Sequence, residues 1–447
     1  MSGRILLDLS HTSHTAARTG VQRVALGLER ELGAAGLAIT YDPFAREWRE
    51  LKGWERAQLG EPPQLSQKRA AHWPWPARWT GRLRRLAGLT ASANPDQPKA
   101  GKLPPESRWA TAGGLLQPEI FSPEVGAALP ELFRAIPGPK VALFHDAIAL
   151  RMPELAPPRT VARFPAYLRE LASFDGIAAI SEASRVELLG YWEWAGIRET
   201  PPVVAISPGV ERARRVRLGP AKESGAADRG GAEARANAPG GRVPPSHDLP
   251  SHVQTSHFPA SRADAEGNLP TILCVGSIEG RKNHLALLQA CELLWARGLK
   301  FELQLIGLLQ RQTGAAAAAL MARLQAAGRP LRYEGAAGDR AREAAYAAAA
   351  FTVYPSVAEG FGLPVAESLI RGKVCVCAGT GALGETSLGG GCQTVNDPTS
   401  EALADACAEL LLDSAKLARL TAEARGRTFP TAADHARRLV EWMRSLG

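Results

Sequence analysis

Two glutamates, Glu359 and Glu367, flank a glycine-rich turn and have seven residues between them. The turn follows a short apolar strand that ends near Ser356, and a helix is predicted from Val365 onward. Pro364 stands at the helix start, where a missing N–H costs nothing. A strand, a glycine turn and a helix N-terminus together form a typical anion site, whereas carboxylates suit hydroxyl groups better than phosphate. This stretch therefore predicts a site for a phosphorylated sugar or a nucleotide.

Two further loops of the second half follow predicted strands. Arg281 and Lys282 come directly before a helix, and two cations at a helix N-terminus favour a diphosphate. The alternative is a solvated basic pair on the surface. The stretch 379–385 is rich in glycine and is predicted to be a loop that approaches a ligand closely.

The first half also has polar residues where predicted strands end. In the stretch 140–148, an apolar strand ends at His145 and Asp146, in the position where α/β sheets bind ligands, and the alternative is a structural histidine. A polar loop ending at Gly20 follows the first strand and is either a ligand loop or an ordinary connection. No third ligand stands near the histidines of that loop, so no metal site is predicted.

Strands and helices alternate along most of the 447 residues, which predicts an α/β fold with parallel sheets. We expect two doubly wound, Rossmann-like domains that face a cleft. The first covers 1–210, a flexible low-complexity linker covers 211–269, and the second covers 270–447, with a last helix that can return to the first domain.

The net charge of +8 suggests a polyanionic or phosphorylated partner. We find no signal peptide and no apolar run near the roughly 20 residues of a membrane span, so the expected location is cytoplasmic. The six cysteines lack a Cys-x-x-Cys pair and are expected to be buried free thiols.

The stretch 46–108 has poor periodicity but is rich in aromatic and basic residues. Its tryptophans and arginines are typical of peripheral contact with an anionic membrane, or else of a surface excursion whose tryptophans pack onto the domain. They are Trp73, Trp75, Trp79, Arg82, Arg84 and Arg85.

The motifs, taken in order, resemble family 4 (group 1) glycosyltransferases of the GT-B fold. The donor-binding half is similar in VGSIEGRKNHLALLQA, YPSVAEGFGLPVAESLIRGKVCVCAGTGALGET and NDPTSEALADACAELLLD. The acceptor side resembles one branch of the family in LLDLSHTSHTAARTGVQRVALGL, HDAIALRMPEL and AAISEASR. The resemblance leaves out 46–108 and 211–269, and the linker is longer than is usual in that branch.

This resemblance implies four catalytic residues. Arg281 and Lys282 would bind the diphosphate and stabilise the leaving phosphate. Glu359 would contact the hydroxyls of the transferred sugar, and His145 would lie beside that sugar. The donor-binding residues implied in the same way are Gly20, Gly276, Phe361, Gly362, Leu363 and Glu367, the last of which would hold the ribose hydroxyls.

The implied activity is a retaining transfer from a nucleotide sugar to a glycan or lipid-linked acceptor in cell-surface polysaccharide synthesis. GDP-mannose is the expected donor from the branch resemblance. No cofactor, metal or nucleic acid is expected, since Arg and Lys would neutralise the leaving group. The alternatives are a nucleotide-sugar epimerase of the same fold and a non-catalytic protein that binds a nucleotide sugar or a polyanion.

Overall fold

A computed structural model describes residues 3–60, 73–86, 109–210 and 269–447. The linker predicted over 211–269 lies, except for its last residue, outside the described residues, as do 61–72 and 87–108 of the aromatic and basic stretch.

The first sheet is built from the N-terminal part of the chain. Its strands are β1 Ile5–Asp8, β2 Gly36–Asp42, β3 Glu47–Glu50, β4 Gly114–Gln117, β5 Lys140–Phe144, β6 Gly176–Ala179 and β7 Val203–Ala205. The helices of this part are α1 Gly20–Leu32, α2 Gly53–Gly60, α3 Trp75–Leu86, α4 Pro123–Ala135, α5 Ile148–Arg151, α6 Pro158–Leu171 and α7 Glu182–Trp194.

The second sheet is built from the C-terminal part. Its strands are β8 Thr271–Val275, β9 Glu302–Ile306, β10 Leu331–Tyr333, β11 Phe351–Tyr354, β12 Cys375–Ala378 and β13 Cys392–Val395. The helices are α8 His284–Ala296, α9 Ala315–Ala326, α10 Asp339–Ala348, α11 Leu363–Leu369, α12 Gly381–Ser387, α13 Ser400–Leu412, α14 Ser414–Arg425 and α15 Ala432–Ser445.

Both sheets are doubly wound. The strand order is β3-β2-β1-β4-β5-β6-β7 in the first and β10-β9-β8-β11-β12-β13 in the second. The paired strands run parallel except for β2 and β3, which are antiparallel. The order reverses between β1 and β4 and between β8 and β11, and ligands of such sheets bind at the carboxyl ends of the strands at this reversal.

The sequence explains the burial and the ends of these elements. The central strands β1, β4, β6, β11 and β12 are buried throughout, as expected for strands covered on both faces. Helix α7 begins after Ser181, whose side chain accepts a hydrogen bond from the amide of Ser184, 3.0 Å away. Thr431 and Asp434 form a capping box at the start of α15.

Some predicted elements differ from those observed. The stretch 379–385 was expected to be a loop, but from Gly381 onward it belongs to the short helix α12. Glycine disfavours helix, yet Ala382, Leu383 and Thr386 are buried, so packing outweighs propensity there. Strand β3 and helix α2 fall in the stretch with poor periodicity and are not predicted by it.

Among the described residues, none of the helices combines the length and the apolarity that crossing a bilayer requires. Those ranges also hold no group of three or more His, Cys, Asp or Glu side chains placed to bind a metal ion. Five cysteines are buried, and Cys392 is partly buried.

Candidate active site

The carboxylate of Glu359 is the centre of a buried network in the C-terminal part. Its Oε1 accepts hydrogen bonds from Arg281 Nη1 at 2.8 Å, Lys282 Nζ at 2.5 Å and Tyr354 Oη at 2.8 Å. Ser356 Oγ lies 2.6 Å from the same oxygen. Several donors therefore converge on one carboxylate oxygen, which is the environment of an ionised acid.

The electrostatics of this network agree with that assignment. Burial alone would raise the pKa of Glu359, but Lys282 and Arg281 more than offset it and hold the pKa at about 2. Burial lowers the pKa of Lys282, and Glu359 opposes the fall. A second carboxylate, Glu279, lies 3.1 Å from Arg281 Nη2, so the two cations face two carboxylates.

The strand order explains why these residues meet. Arg281 and Lys282 lie in the 3-10 turn Gly280–Lys282 that follows β8, and Glu359 lies in the loop that follows β11. Asn283 ends the turn with a φ of 55°, a left-handed conformation that asparagine tolerates, and α8 begins after it. Because β8 and β11 are neighbours at the reversal, their two loops share one edge of the sheet.

Glu367 connects the two parts of the chain. It lies on α11 with 3% of its surface exposed, and Arg23 of α1 donates a hydrogen bond to its Oε1. Tyr346 Oη lies 3.4 Å from Oε2. Burial would raise the pKa of Glu367, but the arginines around it, Arg23 first among them, lower it.

His145 lies on the opposite wall, after β5. It is buried, and its Nε2 lies 2.7 Å from the carbonyl oxygen of Pro118, which only accepts, so Nε2 carries a proton. Burial lowers the pKa of His145, which favours the neutral ring. A Cβ on Gly360 would lie 2.1 Å from the backbone oxygen of His145, so the glycine loop touches this wall directly.

The donor-binding glycines and their neighbours lie around the same cleft. Gly20 is the first residue of α1, and a Cβ there would be 3.5 Å from Leu363 at the start of α11. Gly362 has a φ of 92°, which favours glycine. Phe361 is buried in an apolar cluster with Ile180 of the first part. Gly276 follows β8, and its amide donates to Ile306 at 2.8 Å.

The sequence motifs did not single out several residues that the structure places at this cleft. Arg23 looks like any arginine on a helix surface, and the only signal was its position one turn after Gly20. Ser184 Oγ lies 2.9 Å from the His145 oxygen and 3.2 Å from the Gly360 oxygen, so it bridges the two walls. Asp146 was noted only as the neighbour of His145. Burial raises the pKa of Asp146, and the positive charge of Arg281 opposes the rise.

Comparisons with known proteins point to one class. Residues 269–413 match the family described as "Glycosyl transferases group 1", which is less than half of the chain. No curated protein matches the chain.

Solved structures match nearly the whole chain. HepE from Anabaena, solved with UDP and glucose, aligns with a TM-score of 0.60 at 13% identity and covers 99% of this chain and 100% of its own. Sucrose-phosphate synthase from Thermosynechococcus elongatus gives 0.59 at 16% identity, with 99% of each chain covered. Trehalose 6-phosphate synthase from Burkholderia multivorans gives 0.53 at 16%, covering 100% of this chain and 99% of its own. The chain therefore has the GT-B fold of glycosyltransferases, as the resemblance implied.

Proposed function

We propose that this protein is a retaining glycosyltransferase of family 4 that transfers a sugar from a nucleotide sugar to a glycan or lipid-linked acceptor in cell-surface polysaccharide synthesis. The observation that supports it is the convergence of Arg281, Lys282 and Glu359 at the strand-order reversal of the C-terminal sheet. The match over 269–413 covers these residues and Glu367.

In this proposal the two cations stabilise the leaving group. Breaking the bond between sugar and phosphate leaves a nucleoside diphosphate with an added negative charge. Lys282 is buried and Arg281 is partly buried, and both are held by carboxylates, so their attraction for that charge is stronger than it would be in water. The reaction needs no metal if these residues carry that role.

Glu359 has a different role before and after the donor binds. In the described conformation its carboxylate accepts hydrogen bonds from Arg281 Nη1 and Lys282 Nζ, groups that a diphosphate would also need. We infer that the donor replaces part of these contacts, and that Glu359 then accepts hydrogen bonds from sugar hydroxyls. Glu367 similarly gives up its hydrogen bond from Arg23 and accepts hydrogen bonds from the ribose hydroxyls.

His145 is proposed to contact the transferred sugar from the other wall. Its Nε2 donates to Pro118 and the ring is neutral, so Nδ1 is the nitrogen that accepts a hydrogen bond. A sugar hydroxyl is a suitable donor to it. The acceptor proton then goes to the leaving phosphate, as the family resemblance implies for a retaining transfer.

GDP-mannose and UDP-glucose are the two candidate donors. The branch resemblance favours GDP-mannose, whereas similar solved structures contain UDP or UDP-glucose. At 12–13% identity this likeness concerns the fold, so both donors belong in the test. The cytoplasmic location also stays a prediction.

The test is a panel of nucleotide sugars, assayed for binding by calorimetry and for release of the nucleoside diphosphate. We expect one donor to bind and to be consumed. Replacing Lys282 with alanine should reduce turnover about 100-fold or more, as loss of a transition-state donor does in other enzymes. Glu359→Ala should reduce turnover to a similar extent, because it removes the acceptor of the sugar hydroxyls. Lys300→Ala is the control, because Lys300 is exposed and precedes β9, at the amino edge of the sheet.

Product analysis decides between the alternatives. Retention predicts that the anomeric configuration of the donor persists in the product, which proton NMR measures. An epimerase would instead return an isomeric sugar without an acceptor. Binding of a donor without turnover under any acceptor would indicate a binding protein, and full activity of both alanine variants would contradict the assigned site.

A further inference from the structure

Trp73, which precedes helix α3, holds the start of that helix against the rest of the N-terminal part. Trp73 stacks on His14, with ring centroids 3.8 Å apart and an interplanar angle of 19°. The Arg49 guanidinium lies 5.7 Å from the centroid of the Trp73 ring, and the Phe44 ring meets its edge at the same centroid distance. His14 is itself fixed by Glu55, 2.9 Å away and fully buried. Trp73 therefore fixes the start of α3.

Beyond this anchor, α3 exposes large apolar side chains. Their exposed fractions are 69% for Trp75, 47% for Trp79, 56% for Leu83 and 80% for Leu86. At about 100° per residue these positions fall on one side of the helix, within a stripe of roughly 80°. Other exposed large apolar residues, such as Trp194 and Leu388, lie far away in sequence and form no such row.

The charged side chains of α3 all carry the same sign. The segment Trp75–Leu86 contains four arginines and no acidic residue. Arg78 and Arg82 are exposed, and their positions on the helix lie beside the apolar stripe. A surface that combines exposed tryptophan and leucine with unopposed arginine complements a lipid interface, where the rings lie at the headgroup level and the guanidinium groups meet phosphate.

We propose that α3 docks this protein onto the surface of an anionic lipid bilayer. The apolar stripe enters the boundary between headgroups and acyl chains, and the arginines bind lipid phosphates. The helix is short and lies flat, which agrees with the finding that no described helix could cross a bilayer. An anionic bilayer fits this surface better than a purely apolar partner does, because only the bilayer supplies negative charge to pair with the arginines.

The contact between Trp73 and His14 also determines which part of the protein would face the membrane. His14, on which Trp73 stacks, belongs to the loop between β1 and α1, at the carboxyl edge of the first sheet. Docking through α3 therefore brings this edge close to the bilayer. If the proposed function holds, a lipid-linked acceptor would meet the cleft there, although docking itself does not depend on activity.

Co-sedimentation of the full chain with vesicles tests the proposal without donor or acceptor. We expect binding to phosphatidylcholine vesicles that contain phosphatidylglycerol, weak or no binding to pure phosphatidylcholine, and weakening by salt. The double variant Trp75→Ser, Trp79→Ser should bind roughly 10-fold more weakly or worse. Its control is Trp194→Ser, which removes a tryptophan that is 82% exposed on α7.

A second pair of variants tests whether binding depends on the arginines of α3 or on the net charge of the protein. Replacing Arg78 and Arg82 with glutamine should weaken binding roughly 30-fold, from about 1 kcal/mol for each basic residue near the surface. Replacing Arg329 and Arg340, which are exposed in the C-terminal part, changes the net charge equally and should leave binding within 2-fold. Circular dichroism confirms that each variant is folded. Wild-type protein that stays in the supernatant with anionic vesicles, or α3 variants that bind as the wild type does, would overturn the proposal.

Discussion

At the scale of single residues, the N-terminal part contains a pair of buried acids that the motifs did not reveal. Asp8 ends β1 and Glu119 follows β4, the two strands at the reversal of the first sheet. Burial raises the pKa of each to about 7, and the charge of Glu119 adds to the effect on Asp8. Glu119 accepts hydrogen bonds from the amides of His11 and Thr12, so it holds the loop before α1. Asp8 Oδ2 has no hydrogen-bond partner among the described residues.

We predict that Asp8→Asn makes stability less sensitive to a rise from acid to neutral pH. The folded-state pKa is about 7 against an ordinary 3.8, so the favourable contribution of the protonated acid is complete below pH 3.8 and is lost as the pH rises through 7. This loss is on the order of 4 kcal/mol. The Tm of the variant minus that of the wild type should therefore rise between pH 5 and pH 8, measured by calorimetry. Asp397→Asn, at an exposed site, should give a flat difference, and an equally flat difference for Asp8→Asn would contradict the prediction.

The residues of the candidate site were predicted from sequence to different degrees. Glu359 and Arg281 could be recognised because a glycine turn and a basic pair stand beside predicted helix starts. That both cations bind the same oxygen of Glu359 could not be predicted, because it depends on β8 and β11 being neighbours. Arg23 was missed because its partner, Glu367, is 344 positions away in sequence.

At the scale of elements, loop tips and helix ends join the two parts of the chain. Glu385 of α12 accepts hydrogen bonds from the amides of Glu182, at 2.9 Å, and Ala183, the first residues of α7. A carboxylate there offsets the partial positive charge of the helix N-terminus. Gly360 packs against His145 in the same cleft. Because 379–385 was predicted to be a loop, this helix-to-helix contact could not be anticipated from the sequence.

We predict that Gly360→Ala impairs closure of the cleft without unfolding either part. The new Cβ would lie 2.1 Å from the His145 backbone oxygen, which cannot yield as a flexible side chain does. Turnover should fall at least 10-fold, on the proposed function, while the Tm changes little. Small-angle scattering should show a larger radius of gyration. Gly338→Ala is the control, because a Cβ there meets nothing within 4 Å. Scattering and turnover equal to those of the wild type would show that the contact is not required.

At the scale of the whole molecule, the chain crosses between its two parts a second time at its end. Helix α15 packs on α1, and Leu439 and Met443 are each 1% exposed in a cluster with Leu28 of α1 and Leu143 of β5. A Cβ on Gly114 would lie 2.2 Å from Met443 Cε, so β4 also touches this helix closely. The alternation of strands and helices predicted two sheets, and the sequence allowed the last helix to return. Its amphipathic pattern identifies an apolar face but does not name the surface that covers it.

This arrangement makes the N-terminal sheet depend on the last residues of the chain. We predict that Leu439→Ala costs about 2–5 kcal/mol, as other buried leucines do when truncated. Because Leu439 packs with residues of β1 and β5, hydrogen exchange should speed up in those strands and stay unchanged in β8 and β11. Leu388→Ala is the matched control, since Leu388 is 72% exposed and its truncation should change neither measurement. Faster exchange in β8 and β11, with β1 and β5 unaffected, would mean that α15 stabilises the C-terminal sheet instead, and the coupling between the end of the chain and its first sheet would then be wrong.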